Sequence, residues 1–510
     1  MKRVLSIIIA VVVTNTIVAQ NAFDALKFSQ IRYEGSARSI AMGNAFGSLG
    51  ADTYAMSINP ASSAIYRYTE FTFTPSIGSD NSNTTYLGNR ESEKWTRIGI
   101  SNLGFAGSFK IGNSPYGLKS ISFGVAINKL NNYTSRSYTS GLNANSSWLG
   151  SLADGLGGIF NGDLDINDEW NPFYDFPEAS WKEILSWNSN LLDPLPDSDY
   201  DYIGATENIV GQQIVLAGEL KQEFYRERKG NLTEIVFNAG ANISDKLFFG
   251  VNLGMQSISY NDYQKYSESA VNPALFDSKF SSFSHLFEQN TNGVGLNAKF
   301  GFIALPFAGF RVGGSISTPT WLLMSDQWEE TIDARYSDGY KSNILSPVGE
   351  YNYRVTSPFR WNIGASYVFG KVALISVDYE GADYSKIAMM SESFDKYEFN
   401  TENKYIESNF RAATNLRLGA EVRPVDFLAL RAGYSKYGNP EKSYGYEMEY
   451  ISGGVGFTSK GGTFLDLGFQ KLLQNSETFS LYSDYTNHTA PVGNMDISGW
   501  KFLMTLGFRF

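Results

Sequence analysis

The strongest constraint in this chain is a two-residue hydrophobic period that recurs along most of its length. In FRWNIGASYVFG, Phe359, Trp361, Ile363, Ala365, Tyr367 and Phe369 fall on one face, and Arg360, Asn362, Gly364 and Ser366 on the other. In FRAATNLRLGAEVRP, Phe410, Ala412, Thr414, Leu416, Leu418, Ala420 and Val422 oppose Arg411, Asn415, Arg417, Glu421 and Arg423. Side chains two apart on a strand share a face. Each stretch therefore predicts a strand with one apolar and one polar side. Mean hydropathy is only −0.23 although aromatic residues make up 15% of the chain. A chain that is polar on average and this aromatic fits strands with lipid on one face and water on the other. A soluble sandwich alternates too, but its turns follow no fixed order.

Loop lengths separate these two architectures. Strands are expected near 66–78, 95–111, 117–133, 230–243, 246–264, 288–305, 308–322, 350–369, 371–387, 406–423, 426–440, 447–459, 462–480 and 495–510. Every second connection is short (NSPYG, SDK, PFA, GK, PVD, KGG), and the intervening ones are longer. This rhythm matches the periplasmic turns and extracellular loops of a transmembrane antiparallel β-barrel. The fold class is therefore all-β, with about fourteen strands and both barrel ends in the periplasm. The closing KFLMTLGFRF alternates and ends on Phe510, as terminal strands of outer-membrane proteins do. Several strands exceed the roughly 9–11 residues needed to cross, and the surplus reads as wall standing above the membrane.

The front of the chain sets the compartment. A basic start (Met1-Lys2-Arg3), a short apolar run from Leu5 to Val13 and a small residue at Ala19 define a secretory signal peptide over 1–19. The run is short for a bilayer anchor, and no later stretch of about 18 apolar residues exists. The absence of cysteine removes disulfides and lipidation at a thiol. A net charge of −11 argues against a nucleic-acid binder.

Residues 20–65 precede the first strand. Their glycines (Gly35, Gly43, Gly47, Gly50) allow tight turns, and Asn59-Pro60 is a turn-starting dipeptide. A barrel of this size has an open lumen unless something fills it. Residues 20–65 are therefore expected to form a small hatch inside 66–510. The alternative is a disordered tail, which would carry fewer residues such as Ile40, Met42, Phe46, Leu49, Met56 and Ile58. The hatch is expected to hold the lumen closed yet shift to let a ligand pass.

GSARSIAMGNAFGSLGADTYAMSINPAS resembles the hatch of the FadL/toluene-transport family of outer-membrane channels. The glycines, Arg38, Asp52 and the triplet Asn59-Pro60-Ala61 carry the likeness. SPFRWNIGASYVFGKVALISVDYEGADYSK (357–386) and NLRLGAEVRPVDFLALRAGY (415–434) resemble strand–turn–strand units of the same family. The resemblance implies a hatch-plugged fourteen-stranded barrel in the bacterial outer membrane. It also implies energy-independent uptake of long-chain fatty acids or other hydrophobic compounds. Release is implied to run sideways through a gap at a kinked strand, for which GISNLGFAG (99–107) and FGVAINKLNN (123–132) are the candidates. The start Phe23-Asp24-Ala25-Leu26-Lys27-Phe28 resembles family N-termini that reach a buried pocket. Phe23 and Phe28 are thus ligand contacts or, alternatively, anchors of the plug.

One departure from the family is large: a long extracellular insertion, 135–227. Within it, Ser180 to Glu183 form a capping box that opens a helix, and Pro194 follows its end. Trp181 and Trp187 belong to an apolar surface that either catches ligand or packs on the insertion itself. In the lumen, Arg360, Asp378, Glu380, Arg417, Glu421, Arg431 and Asp466 are expected to form a charge network that holds the hatch. Acid–base chemistry is the weaker reading of these residues. The two histidines, His285 and His488, fall in loops, and no catalytic set or metal-ligand spacing is visible.

The chain therefore reads as no enzyme, with no cofactor and no metal. Its partners are expected to be a hydrophobic small molecule and outer-membrane lipid, and the barrel is expected to be monomeric. Two other functions stay open: a structural or chaperoning barrel of a secretion system, and a haem receptor using one of the histidines.

Overall fold

One continuous antiparallel ladder accounts for the alternation. The structure is a computed structural model that describes residues 22–510 except 113–115, 395–397, 444 and the side chain of Gln474. The expected signal peptide and part of the NSPYG turn lie outside the described residues.

Fourteen strands close the barrel. They are β1 (Glu70–Tyr86), β2 (Asn89–Lys110), β3 (Leu118–Asn132 and Ser135–Asn143), β4 (Leu220–Ile243) and β5 (Leu247–Ala270). Next come β6 (Phe280–Phe307), β7 (Phe310–Ser317 and Trp321–Tyr336) and β8 (Lys341–Leu345, Gly349–Thr356 and Arg360–Phe369). After these are β9 (Ala373–Asp383 and Ala388–Ser391), β10 (Ala412–Val425) and β11 (Leu428–Tyr437). The last three are β12 (Met448–Thr458), β13 (Thr463–Ser480) and β14 (Val492–Arg509). Closure runs between β1 and β14, with Phe71 opposite Phe508. Terminal Phe510 exchanges two backbone hydrogen bonds with Thr69, each 3.0 Å.

The outer wall is apolar over a limited height. On β5, Val251, Leu253 and Met255 point outward about half exposed, whereas Ser259, Asn261 and Lys265 follow above them. On β6, Val294, Leu296 and Phe300 do the same. Such a belt is untenable in water and matches the band of a membrane-spanning barrel, which has no free edge at that depth. The short turns expected at SDK, PFA, GK, PVD and KGG gather at one end of the barrel.

At the other end the strands rise well beyond the belt, and here several boundaries move. β1 and β2 continue to a tight turn at Leu87 and Gly88, so the expected loop 79–94 is a tall hairpin. Residues 135–143 and 220–227 pair with each other as barrel wall, so the insertion proper is shorter than 135–227. A helix, Asn400–Asn409, replaces the expected start of β10 at 406.

The insertion folds into a cap on the long-loop end. Its helices include Trp148–Gly155 and Trp181–Asn188, and the capping box forms: the Ser180 N–H donates to Glu183 at 2.7 Å. The cap core contains Trp148, Leu149, Ile184 and Leu185, packed on Phe280, Phe283 and Trp328 of the risen wall.

Candidate functional site

The first feature of the site is the hatch, which fills the lumen. Helix α1 (Ala22–Ser29), the short helix α2 (Ala37–Ala41) and two 3-10 turns (Tyr54–Ser57 and Pro60–Ile65) fold inside the barrel. Gly35, Gly43 and Gly50 take positive φ of 82°, 60° and 68°, which a side chain would resist. The wall meets the hatch with glycines of its own. A Cβ at Gly250 would strike Pro60, one at Gly301 would strike Asn59, and one at Gly313 would strike Gly47. On the far side, Gly419 and Gly433 sit against Met42 and Gly43. Removing Cβ atoms lets hatch backbone approach strand backbone directly, so Ser39, Asn44, Ser48 and Asn59 are fully buried.

Asn59 holds the last turn. Its Oδ1 accepts from the Ala61 N–H at 3.0 Å, and its Nδ2 donates to Gly47 O at 2.6 Å and Phe302 O at 3.1 Å. Pro60 starts the 3-10 turn, where its missing N–H costs nothing. Asp52 staples two hatch segments by accepting from Ser36 Oγ (2.6 Å) and the Tyr54 N–H (2.9 Å).

The expected charge network is present as two groups. In the first, Glu380 accepts from Arg417 at 2.9 Å and from the Tyr33 hydroxyl at 3.1 Å, with Arg360 at 3.7 Å. Beside it, Asp378 accepts from the Gly47 N–H at 2.6 Å. In the second, Glu421 binds Arg38 (3.2 Å) and Arg431 (2.8 Å), and Arg431 reaches Asp466 at 2.6 Å. Both groups tie hatch to wall. A third tie was not anticipated: Lys299 binds Glu234 at 2.8 Å and Ser57 O at 3.1 Å. Its signal is faint, because single inward charges on β4 and β6 resemble any polar lumen position.

Above the hatch lies a cavity of about 630 Å³. A second cavity, about 40 Å³, lies on the other side of the hatch among Arg38, Asp52, Glu70 and Asp466, and shares no lining residue with the first. The hatch thus separates the two. Phe23 lines the upper cavity; Phe28 stands behind it, edge-on to Tyr133 (5.7 Å) and Tyr260 (5.6 Å), which do line it. Trp181 and Trp187 are elsewhere. Trp181 is buried in the cap against Trp328 at 5.2 Å, and Trp187 packs on Tyr202. Cap packing, the alternative left open by the sequence, is where both tryptophans sit.

The cavity wall is cationic. Arg226 is paired with Asp262, Lys501 with Glu34 (2.9 Å) and Arg97 with Asp80. Arg32 and Arg228 have no carboxylate within salt-bridge distance among the described residues, and Arg228 Nε is buried without a hydrogen-bond partner. Burial and the neighbouring Arg226 lower the pKa of Arg228, which stands above the apolar belt.

The barrel wall is slit beside this cavity. The β2–β3 ladder stops at Asn102 opposite Asn128, inside both stretches named as kink candidates. Beyond that point the backbone ladder of β3 runs only with β4 and that of β2 only with β1, and the gap is closed again higher up, where the side chains of Ser82, Thr84 and Asn89 donate to the carbonyls of Arg136, Tyr138 and Ser140. The local cause is a bulge. Thr74 faces Asn102 but Pro75 faces Ile100, leaving Ser101 as the extra residue. Pro75 also brings no N–H to the ladder, and a bulge bends its strand. Trp95 and Arg97 of β2 and Asn131 of β3 line the cavity on the two sides of the slit.

His285 bonds Glu330 at 2.7 Å and stacks on Trp148, and His488 stacks on Tyr485. Neither lines the cavity, and the described residues contain no cluster suited to a metal ion.

The hatch turn generates a prediction. Asn59→Ala with Pro60→Ala removes one cap, one bond within the hatch and one tie to the wall, about 1–2 kcal/mol for the cap alone. Planar-bilayer conductance is expected to rise while heat-modifiable gel mobility stays that of the unaltered barrel. Unchanged conductance would show that this turn does not seal the lumen.

No protein-family model and no curated protein matches the chain. Solved structures do. A FadL homologue of Pseudomonas aeruginosa superposes with a TM-score of 0.57 at 10% identity, covering 94% of this chain and all of that one. The Pseudomonas putida toluene transporter TodX superposes with a TM-score of 0.51 at 13% identity, covering 94% and 100%. The chain has the hatch-plugged, fourteen-stranded barrel fold of the FadL and TodX channels.

Proposed function

We propose that this protein is an outer-membrane channel for uptake of amphipathic small molecules, with long-chain fatty acids as the model substrate. The observation that carries the proposal is the cavity. Its lining mixes aromatic rings such as Tyr133 and Tyr260 with two guanidiniums, Arg32 and Arg228, that lack a carboxylate partner. Rings suit an alkyl chain, and unpaired guanidiniums suit an anionic head. A pure hydrocarbon would leave both charges uncompensated at a cost. The likeness in fold to channels titled as a FadL homologue and a toluene transporter supports the wider reading.

The route is sideways. A hatch fitted against wall glycines and tied by three buried ion-pair groups separates the cavity from the periplasmic side. The slit between β2 and β3 lies next to the cavity and reaches the apolar belt, where Ile98 and Ile100 point outward. An amphipath bound above the hatch leaves through this slit into the bilayer, without hatch movement. This reading replaces the hatch gating expected from sequence.

Three tests follow. Arg32→Gln with Arg228→Gln is expected to weaken oleate binding to the purified protein in neutral detergent by at least about tenfold, the scale of charge-assisted hydrogen bonds. Equal affinity would remove the anion-binding assignment. Deleting Ser101 removes the bulge and is expected to lower uptake of labelled oleate by cells while leaving binding intact. Protease added to intact cells is expected to cut only in the cap and long loops. A cut at 244–246 would invert the topology.

A further inference from the structure

The cavity has a second charged wall that an alkyl carboxylate does not use. Glu441, in the loop between β11 and β12, and Glu477, near the upper end of β13, both line it. Among the described residues neither carboxylate has a base within salt-bridge distance. Glu477 feels the positive field of Arg228, Arg226 and Arg32, and all four side chains line the same cavity. Burial pushes both carboxyls up; the neighbouring Glu477 raises Glu441 further, whereas the arginines partly offset the rise at Glu477.

Aromatic rings stand beside the acids. Tyr446 and Tyr450 line the same wall, and Tyr450 meets Tyr437 edge-on at 5.9 Å. Ring faces with carboxylates behind them favour an organic cation, above all an alkylated ammonium that cannot donate many hydrogen bonds. The two groups are therefore complementary to opposite charges: they feel each other's field, but neither set closes a direct ion pair among the described residues. Charges left unpaired in a partly desolvated cavity are costly unless a ligand supplies the missing sign.

We infer that the cavity recognises a zwitterionic amphipath, its anionic group held by Arg32 and Arg228 and its ammonium group by Glu441, Glu477 and the adjoining tyrosines. The inference rests on the cavity being the substrate site of the proposed channel. It narrows the substrate from alkyl acids in general to acids that carry an ammonium group near the head.

The test compares three probes of equal chain length on purified protein in neutral maltoside: tetradecanoate, N-tetradecyl-N,N-dimethylglycine and tetradecyltrimethylammonium. The zwitterion is expected to bind about tenfold tighter than tetradecanoate, and the cation more weakly than the zwitterion. Glu441→Gln with Glu477→Gln is expected to erase that preference by weakening zwitterion binding and strengthening tetradecanoate binding. The preference is read first on the unaltered protein, so a variant that fails to fold does not decide the matter. If tetradecanoate binds and the zwitterion binds no tighter, the second subsite is refuted and the channel reading stands. If the cation alone binds as tightly as the zwitterion, recognition of both charges is refuted. If no probe binds, the cavity is not the substrate site and both readings fall.

Discussion

Everything in this molecule depends on the demand that backbone hydrogen bonds be satisfied where no water is available. The demand forces the strands into a closed ladder, completed where β1 meets β14 and Phe510 meets Thr69. Closure creates a lumen too wide for side chains alone to fill, and the hatch is the answer to that space. Bringing 44 or so residues of irregular chain into a lumen raises the same demand again, since each hatch N–H and C=O needs a partner. The wall provides them: Asp378 for the Gly47 N–H, Arg311 for Leu49 O, Asn252 for Met56 O and Ser315 for Ile58 O.

The break in the ladder between β2 and β3 is therefore informative. Between β2 and β3 the pairing ends at Asn102 and Asn128, and local chemistry explains it through Pro75 and the extra Ser101. A sealed hatch below, a charged and aromatic cavity above and a slit in the wall beside it form one path. Its stations are close together, and none requires the ion pairs around Glu380, Glu421 or Glu234 to break. Breaking such buried pairs costs about 3–5 kcal/mol each, so a route that leaves them intact is the cheaper one.

Much of this was legible in the sequence because a strand has a period of two and a bilayer enforces it. The inward Arg417 and Glu421 and the outward Leu418 follow from alternation alone, and Asn59-Pro60 declares a turn wherever it occurs. The errors have a common cause. β1 and β2 rise above the belt, where neither face meets lipid, so Arg90, Glu91, Glu93 and Lys94 read as a loop although they are paired strand. The helix NTENKYIESN is polar except for Tyr405 and Ile406 and carries no apolar stripe, so it was hidden beside the alternation of β10. The cavity was the least legible part. Arg32, Arg228 and Glu477 are far apart in the chain, and only barrel closure brings them round one space. Trp181 and Trp187 drew attention as apolar surface, but a cap this large needs a core of its own and takes them for it.

The central claim is that substrate leaves sideways while the hatch stays in place. Two hatch–wall contacts allow a direct trial in a chain without native cysteine: Ser48 Oγ lies 2.9 Å from Ser366 Oγ, and Ser122 Oγ 3.0 Å from Ser63 Oγ. Replacing all four serines by cysteine and oxidising the protein pins the hatch to opposite parts of the wall. The measurement is the rate of labelled oleate uptake by cells carrying the oxidised protein, with disulfide formation confirmed by mass spectrometry. The account predicts uptake within about twofold of the reduced protein. Uptake abolished by oxidation and restored by reductant would contradict it and return the hatch to the transport path.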